Sequence, residues 1–423
     1  MSEWKKVKLG EVCKRVTSGG TPKANVSSYY NPPTIPWLKT KEVNYCRITK
    51  TENYISEEGL NNSSAKLIAP NSVIIAMYGQ GDTAGRVAIN KIPLTTNQAC
   101  CNLTIDETIA NYEYVYYQLS TLYSKMVSLK AGAAQPNLNA QIIKNLEISL
   151  PPLNVQINIA TVLSRYDTLI ENYQRQIELL EEAAQRLYKE WFVDLHNPDY
   201  ENTRIIDGVP EGWEKKNVNS ILTFNRGYDL THKEFVSGPY PVVGSTSIIG
   251  NHNKYKIEGP GIVTGRSGSL GVYQLIWDNF WPHNTSLYIS DFKGHDVFYI
   301  YCLLKTVDFT TLNSGGAIPS LNRNTLSNIS VMEPPMSLQA KFSEKVMPMF
   351  KRQRYLQSQV RLLTEARDRL LPKLISGEIS GETAQSVTSG LGVRKEQTWQ
   401  SAGNGLIETK QRTITNNEYG KGL

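Results

Sequence analysis

Apolar side chains recur in alternating steps of four and three along one stretch: Ile159, Leu163, Tyr166, Ile170, Tyr173, Ile177, Leu180, Ala184, Leu187 and Trp191. That is the heptad spacing by which one helix packs along another, not the broader stripe of a plain amphipathic helix. Glu178, Glu181, Glu182, Arg186, Lys189 and Glu190 fill the other side. Pro151 and Pro152 stand ahead of it, where proline can open a helix but not continue one. A second seam repeats the layout 183 positions later (342 − 159 = 183). It runs from Pro334 and Pro335 through Phe342, Val346, Met349, Leu356, Val360, Leu363 and Leu370 to Leu374. Two of its seam positions are polar, Gln353 and Arg367. A polar seam residue costs stability and fixes register, so this pair predicts helices particular about their alignment.

The repeat extends beyond the helices. Gly132, Ala134, Pro136, Leu138 and Asn139 recur as Gly315, Ala317, Pro319, Leu321 and Asn322, and Gln156 recurs as Gln339. Upstream, Trp4 corresponds to Trp213, an offset of 213 − 4 = 209. The second copy is therefore shorter by 209 − 183 = 26 residues, lost between its tryptophan and its Gly-Gly stretch. The predicted order is globe, helix, globe, helix. A first globe covers 1–150, a helix 151–195, a connector and second globe 196–333, a second helix 334–378 and a tail 379–423. Short extended runs such as 72–77 and 85–90, broken by Gly, Pro and Asn, dominate the globes. Tyr114, Val115, Gln118, Leu119, Leu122 and Met126 predict a helix over 111–129, and a helical patch is predicted over 297–307. The fold class is α+β, internally duplicated. The tail, rich in Ser, Gly, Thr, Asn and Gln, reads as disordered, with an appended partner-binding peptide as the alternative.

Composition narrows the partners only a little. A net charge of +6 and a pI near 8.8 permit a polyanionic partner without demanding one. Cys13, Cys46, Cys100, Cys101 and Cys302 are odd in number and show no CxxC spacing, which argues against a zinc site or a disulfide framework. The first residues hold no apolar signal core and no run approaches membrane-spanning length, so the chain is expected in the cytoplasm.

Several catalytic look-alikes fail. Asn31-Pro32-Pro33 is followed by Thr34, where a flipped base would need an aromatic ring to stack on. Neither Gly79-Gln80-Gly81 nor Gly265-Arg266-Ser267-Gly268 has the spacing or ending of a nucleotide loop. No metal, nucleophile or cofactor site is expected. Features that suit DNA are more numerous: glycine-rich turns allow close backbone approach, beside side chains that read base edges or anchor phosphates. In the first globe these are Ser18, Gly19, Gly20 and Thr21, then Lys39 and Lys41, then Tyr78, Gln80 and Arg86. In the second they are Asn225 and Arg226, then Ser245 and Thr246, then Arg266 and Ser267, then His283, Asn284 and Thr285. Any one of these also fits a turn-shaping role, so they count as groups. Trp37 and Trp281 read first as core or loop anchors, and His283 as a structural histidine.

In this order and duplication the chain resembles the specificity subunits of type I restriction–modification systems. Leu150-Pro151-Pro152-Leu153 through Gln156, with the helix after it, resembles the family's central region, and 334–379 its distal one. Ser18-Gly19-Gly20-Thr21-Pro22 and Asn97-Gln98-Ala99 resemble one type of target-recognition domain. The stretches 250–255 and 265–268, with Trp281-Pro282-His283-Asn284-Thr285, resemble another. The resemblance implies two target-recognition domains, each reading half of a two-part double-stranded DNA site, and two helices packed antiparallel that set the gap. A helix near forty residues spans about 60 Å, enough for one to two turns of duplex. It also implies partners: two modification subunits that bind S-adenosylmethionine and flip the base, and a restriction subunit that uses ATP and Mg²⁺. This chain would have no cofactor and no chemistry of its own. Glu182, Arg186, Glu365, Arg367 and Arg369 are candidates for partner docking; intrahelical ion pairs are the plainer reading. A structural adaptor built on the coiled coil, with no DNA role, is the alternative from another class.

Overall fold

The computed structural model describes residues 4–131, 137–265, 271–307 and 329–381. It divides the chain into two compact units, 1–170 with 361–423 and 171–360. Each unit takes one globe and a part of both long helices, Leu153–Tyr188 and Met336–Ile375. The tail beyond 381, residues 266–270, and Gly132, Ala134, Pro136 and 308–328 of the repeat lie outside the described residues.

The globe of the first unit is built on a five-stranded sheet in the order Cys13–Ser18, Cys100–Ile105, Val73–Ala76, Val87–Asn90, Cys46–Ile48. Val73–Ala76 and Val87–Asn90 are buried along their whole length, which is why their sequences run apolar without alternation. A three-stranded sheet, Tyr54–Ile55, Ile35–Leu38 and Thr95–Thr96, packs beside it, and Lys5–Lys8 pairs with Glu147–Leu150. The second globe repeats this plan. Thr223–Arg226, Ser286–Asp291, Gly261–Gly265 and Tyr273–Ile276 follow the same order, and Ile248–His252, Tyr240–Val243 and Trp281–Pro282 form the three-stranded sheet. Glu214–Asn217 pairs with Ser330–Glu333. The fifth strand, Cys46–Ile48, has no counterpart among the described residues of the second globe.

The helix expected over 111–129 is two helices, Tyr112–Thr121 and Tyr123–Ala131. Leu122 closes the first by a tight bond from its N–H to Leu119 O (3.0 Å), and Thr121 Oγ1 donates to Gln118 O (2.7 Å). Asn111 caps it by accepting from Tyr114 N–H (3.0 Å). Its counterpart, Val297–Thr306, is capped by Asp296. The buried pair Gln156 and Gln339 ties each proline entry to its globe. Gln156 donates to Pro151 O (2.8 Å) and accepts from Asn111 N–H (2.9 Å); Gln339 donates to Pro334 O (2.9 Å) and bonds His295 Nδ1 (3.0 Å).

Within each unit the start of one long helix lies against the end of the other, so the paired segments run antiparallel. In the first, Ile159, Val162 and Leu163 share a core with Leu370, Leu374 and Ile375. In the second, Ala184, Tyr188, Trp191 and Phe192 share one with Phe342, Val346 and Phe350. Both polar seam residues bond the opposite helix. Arg367 Nη1 meets Asp167 Oδ1 at 2.6 Å, and Gln353 Nε2 donates to Ile177 O (2.9 Å) and Glu181 Oε2 (3.0 Å). These bonds form in one alignment only, which is how a polar seam residue fixes register.

Tyr188, Phe192 and Phe350 are buried although the heptad pattern omits them. The helix ends present a second face to the globe there. Phe350 stacks on Phe298 at 5.6 Å between ring centroids, and Phe192 packs on Trp213 at 6.0 Å. A wide π-type turn, Lys189–Val193, lets the adjacent Trp191 and Phe192 both face inward. Phe342 touches Tyr188, Trp191 and Phe192 edge to face and is fully buried. Phe342→Ala is therefore expected to destabilise the second unit by about 3–5 kcal/mol. Chemical denaturation checks this; a loss within experimental error would remove this cluster as the unit's anchor.

Candidate nucleic-acid interface

In the first globe, glycine 19 and glycine 20 wedge into the space between two strands. Gly19 N–H donates to Cys100 O (3.1 Å) and Gly20 N–H to Thr96 O (2.8 Å). Asn97 N–H in turn donates to Leu38 O (2.9 Å), and Cys100 N–H to Asn97 O (3.1 Å). A Cβ on Gly19 would stand 2.2 Å from Asn97 O, so no other residue fits. Trp37 Nε1 donates to Gly20 O (3.0 Å), and the Lys39 ammonium lies 5.0 Å above the Trp37 ring. Lys39 also bonds Asn53 Oδ1 (2.9 Å). A Cβ on Gly79 would lie 3.5 Å from Thr40 Oγ1, which brings the 78–82 loop beside the lysines.

The second globe rebuilds this frame from different residues. Gly227 N–H donates to Ser286 O (3.0 Å), Tyr228 N–H to Pro282 O (2.8 Å), His283 N–H to Val243 O (2.9 Å) and Ser286 N–H to His283 O (2.9 Å). A Cβ on Gly227 would stand 2.1 Å from His283 O. Trp281 Nε1 reaches Tyr228 O at 3.5 Å, and the Lys256 ammonium lies 4.8 Å above the Trp281 ring. The tryptophan comes from a neighbouring strand, yet it serves the equivalent carbonyl with a lysine over it. The bonds align Gly19 with Gly227 (227 − 19 = 208), Leu38 with Val243 (243 − 38 = 205) and Asn97 with His283 (283 − 97 = 186). Most of the second globe's shortening, 205 − 186 = 19 residues, thus falls between Leu38 and Asn97, where the first globe holds Cys46–Ile48 and Glu57–Asn61.

The frame brings the expected DNA-facing groups together within each globe. Ser18, Thr21, Lys41 and Gln80 are exposed, and Lys39 and Tyr78 are half-buried. Lys41 pairs with Glu52, and Arg86 with Asp82 (2.6 Å) and Asn44 (3.0 Å). In the second globe Arg226 Nε meets Asn284 O at 3.4 Å and its Nη2 meets Asp229 Oδ1 at 3.4 Å. Ser245 Oγ donates to Thr285 O (2.9 Å), Thr246 is exposed, and Asn225 lies half-buried on the strand before Gly227. Arg266 and Ser267 lie outside the described residues. Three members have other work. Gly19 and Gly20 have spent their N–H groups on their own chain. His283 is tied at both ring nitrogens, to Thr285 Oγ1 (3.0 Å) and Leu230 O (3.1 Å). Lys256 and Asp229 stand just past stretches that the sequence singles out, 250–255 and Asn225-Arg226-Gly227, and only the fold brings them to the frame.

Of the docking candidates, Arg367 is already occupied. Burial disfavours its charge, yet its bonds to Asp167 and Asp368 hold its pKa above the usual arginine value. Tyr117 Oη donates to Asp167 Oδ2 (2.5 Å), so the carboxylate is bonded at both oxygens. Glu182, Arg186, Glu365 and Arg369 are exposed, and Glu182 forms the intrahelical pairs of the plainer reading, with Arg186 and with Arg175 (3.8 Å each). Leu179 and Leu362, at equivalent places in the repeat, are exposed as well, giving each helix a Leu, Glu, Arg stripe at spacing i, i+3, i+7.

The family model described as "Type I restriction modification DNA specificity domain" matches residues 1–182 and 210–355. This chain belongs to that family. The type I restriction enzyme MjaIX specificity subunit of Methanocaldococcus jannaschii is 29% identical over 411 residues, spanning 89% of this chain and 93% of the relative. The Escherichia coli EcoR124I/EcoR124II specificity subunit is 31% identical over 200 residues, 46% of this chain and 47% of the relative. A crystal structure of a type I restriction–modification S subunit from M. genitalium matches with a TM-score of 0.55 at 18% identity, covering 88% of this chain and 96% of that one, and so shares the fold. The chain is thus a specificity subunit, with two DNA specificity domains and a non-catalytic part in its complex. The adaptor reading without DNA is left without support. Among the described residues, no helix is long and apolar enough to cross a membrane.

The occupied and exposed arginines separate by substitution. Arg367→Ala leaves Asp167 buried without its cation and is expected to cost about 3–5 kcal/mol. Arg369→Ala is expected to stay within about 0.5 kcal/mol. Thermal unfolding of both variants checks the contrast; equal losses would show that the Arg367–Asp167 bond does not hold the first unit's helices.

Proposed function

We propose that each globe of this specificity subunit reads one half of an asymmetric two-part site in double-stranded DNA. One observation carries the reading: the same backbone frame occurs twice, holding different polar side chains. A shared frame presents both loops to the same kind of surface, and different side chains select different bases. Lys39, Lys41, Arg86, Arg226 and Lys256 supply cations beside the frames for phosphate contact. Each long helix contributes to both units. In this reading the two helices set the gap between the half-sites.

The chemistry belongs to partners. Two modification subunits bring S-adenosylmethionine and methylate adenine, and a restriction subunit brings ATP, Mg²⁺, translocation and cleavage; the assembly works in the cytoplasm. The stripes Leu179, Glu182, Arg186 and Leu362, Glu365, Arg369 each receive one modification subunit. An exposed leucine between charged neighbours adds apolar burial that a solvated ion-pair face lacks. The duplication explains why two copies of one partner bind a single chain.

Two outcomes are expected. Affinity of the assembled complex for its site falls by orders of magnitude between about 50 and 200 mM salt, as counterion release requires. A flat salt response would contradict phosphate-anchored reading. Leu179→Asp or Leu362→Asp alone lowers the co-purifying modification subunit from two per chain to one, and the double variant abolishes it. Two copies retained by the double variant would move docking elsewhere.

A further inference from the structure

The frame aligns side chains as well as backbone. With Gly19 matched to Gly227, Thr21 matches Asp229; with Asn97 matched to His283, Gln98 matches Asn284. In both globes these two positions bond each other: Thr21 Oγ1 donates to Gln98 Oε1, and Asn284 Nδ2 donates to Asp229 Oδ1. Equivalent positions thus carry a hydroxyl–amide pair in one globe, the amide accepting, and a carboxylate–amide pair in the other, the amide donating. Arg226, which matches Ser18, adds its guanidinium to the second pair. We infer that Thr21 with Gln98, and Asp229 with Asn284, are equivalent specificity determinants, one pair for each half-site. The inference rests on the DNA reading above.

Each pair keeps polar capacity free for a base edge. Gln98 is exposed and its amide hydrogens are unspent in the bond to Thr21. The Asp229 side chain is 78% exposed, and both of its bonds fall on Oδ1. A carboxylate is repelled by phosphates, so Asp229, beside its pairing with Arg226, suits a base that offers a donor, such as the cytosine amino group. An amide is suited to the paired donor and acceptor of adenine. The pairs also stand next to backbone that is bonded to its own globe, Gly19 and Gly20 in one and Gly227 and Tyr228 in the other.

Selection from a randomised duplex library, by the full chain bound to its modification subunits, tests this. The wild-type complex is expected to enrich one two-part motif. Gln98→Ala is expected to lose preference by about 5- to 150-fold at a base pair in one half, and Asp229→Ala to do so in the other half. Gln98→Glu and Asp229→Asn, which keep size and exposure, are expected to change the preferred base while leaving the melting temperature unchanged. Unchanged base preferences in these variants would overturn the assignment. So would uniform weakening across both halves, which marks a phosphate or framework role. A wild-type complex that enriches no sequence would overturn the DNA reading itself, and this inference with it.

Discussion

Two backbone contacts too close for any side chain organise the globes. At Gly19 and at Gly227 an added Cβ would fall 2.1–2.2 Å from a carbonyl oxygen in the turn between two strands, far inside van der Waals contact. Only glycine lets the loop enter, and once there its N–H groups are satisfied by the two strands that flank that carbonyl. The loop is thereby locked to the edge of the sheet, and the side chains just beyond it are held at fixed height. Everything proposed for recognition depends on this wedge. The tryptophan that donates to the loop carbonyl and the lysine over its ring reinforce it in both globes, though the tryptophans come from different strands.

The helices impose the second constraint. A seam of apolar side chains alone tolerates sliding by a heptad. Arg367 and Gln353 remove that freedom, because a slip would bury an arginine away from Asp167 or strand an amide away from Ile177 O. Alignment of the helix segments is thus set in each unit by one polar residue bonded across the seam. The exposed stripes on the opposite faces inherit that alignment.

The seam, the duplication and the shortening of the second copy were legible in the sequence, because a 3.5-residue period and an ungapped offset leave direct traces. The break at Leu122 was not, since the apolar spacing of Leu119, Leu122 and Met126 continues across it and only a backbone bond ends the helix. Phe350, Tyr188 and Phe192 were missed because they pack on the globe as well, at Phe298, Tyr299 and Trp213, a partner that heptad counting ignores. The glycines of the reading loops stood out, but their cause lies in turns far along the chain, at Asn97 for Gly19 and at His283 for Gly227. The match of Thr21 with Asp229 was invisible: the offset drifts from 209 to 183 along the globe, and nothing in residue type links a hydroxyl to a carboxylate.

The most direct measurement is a base-resolved methylation map of host DNA with and without this chain. The account predicts N6-methyladenine at a single asymmetric two-part motif with a constant gap, and its complete disappearance when the chain is deleted while the modification subunits persist. Methylation at that motif surviving the deletion would show that target choice resides in another protein, and would contradict the account at its centre.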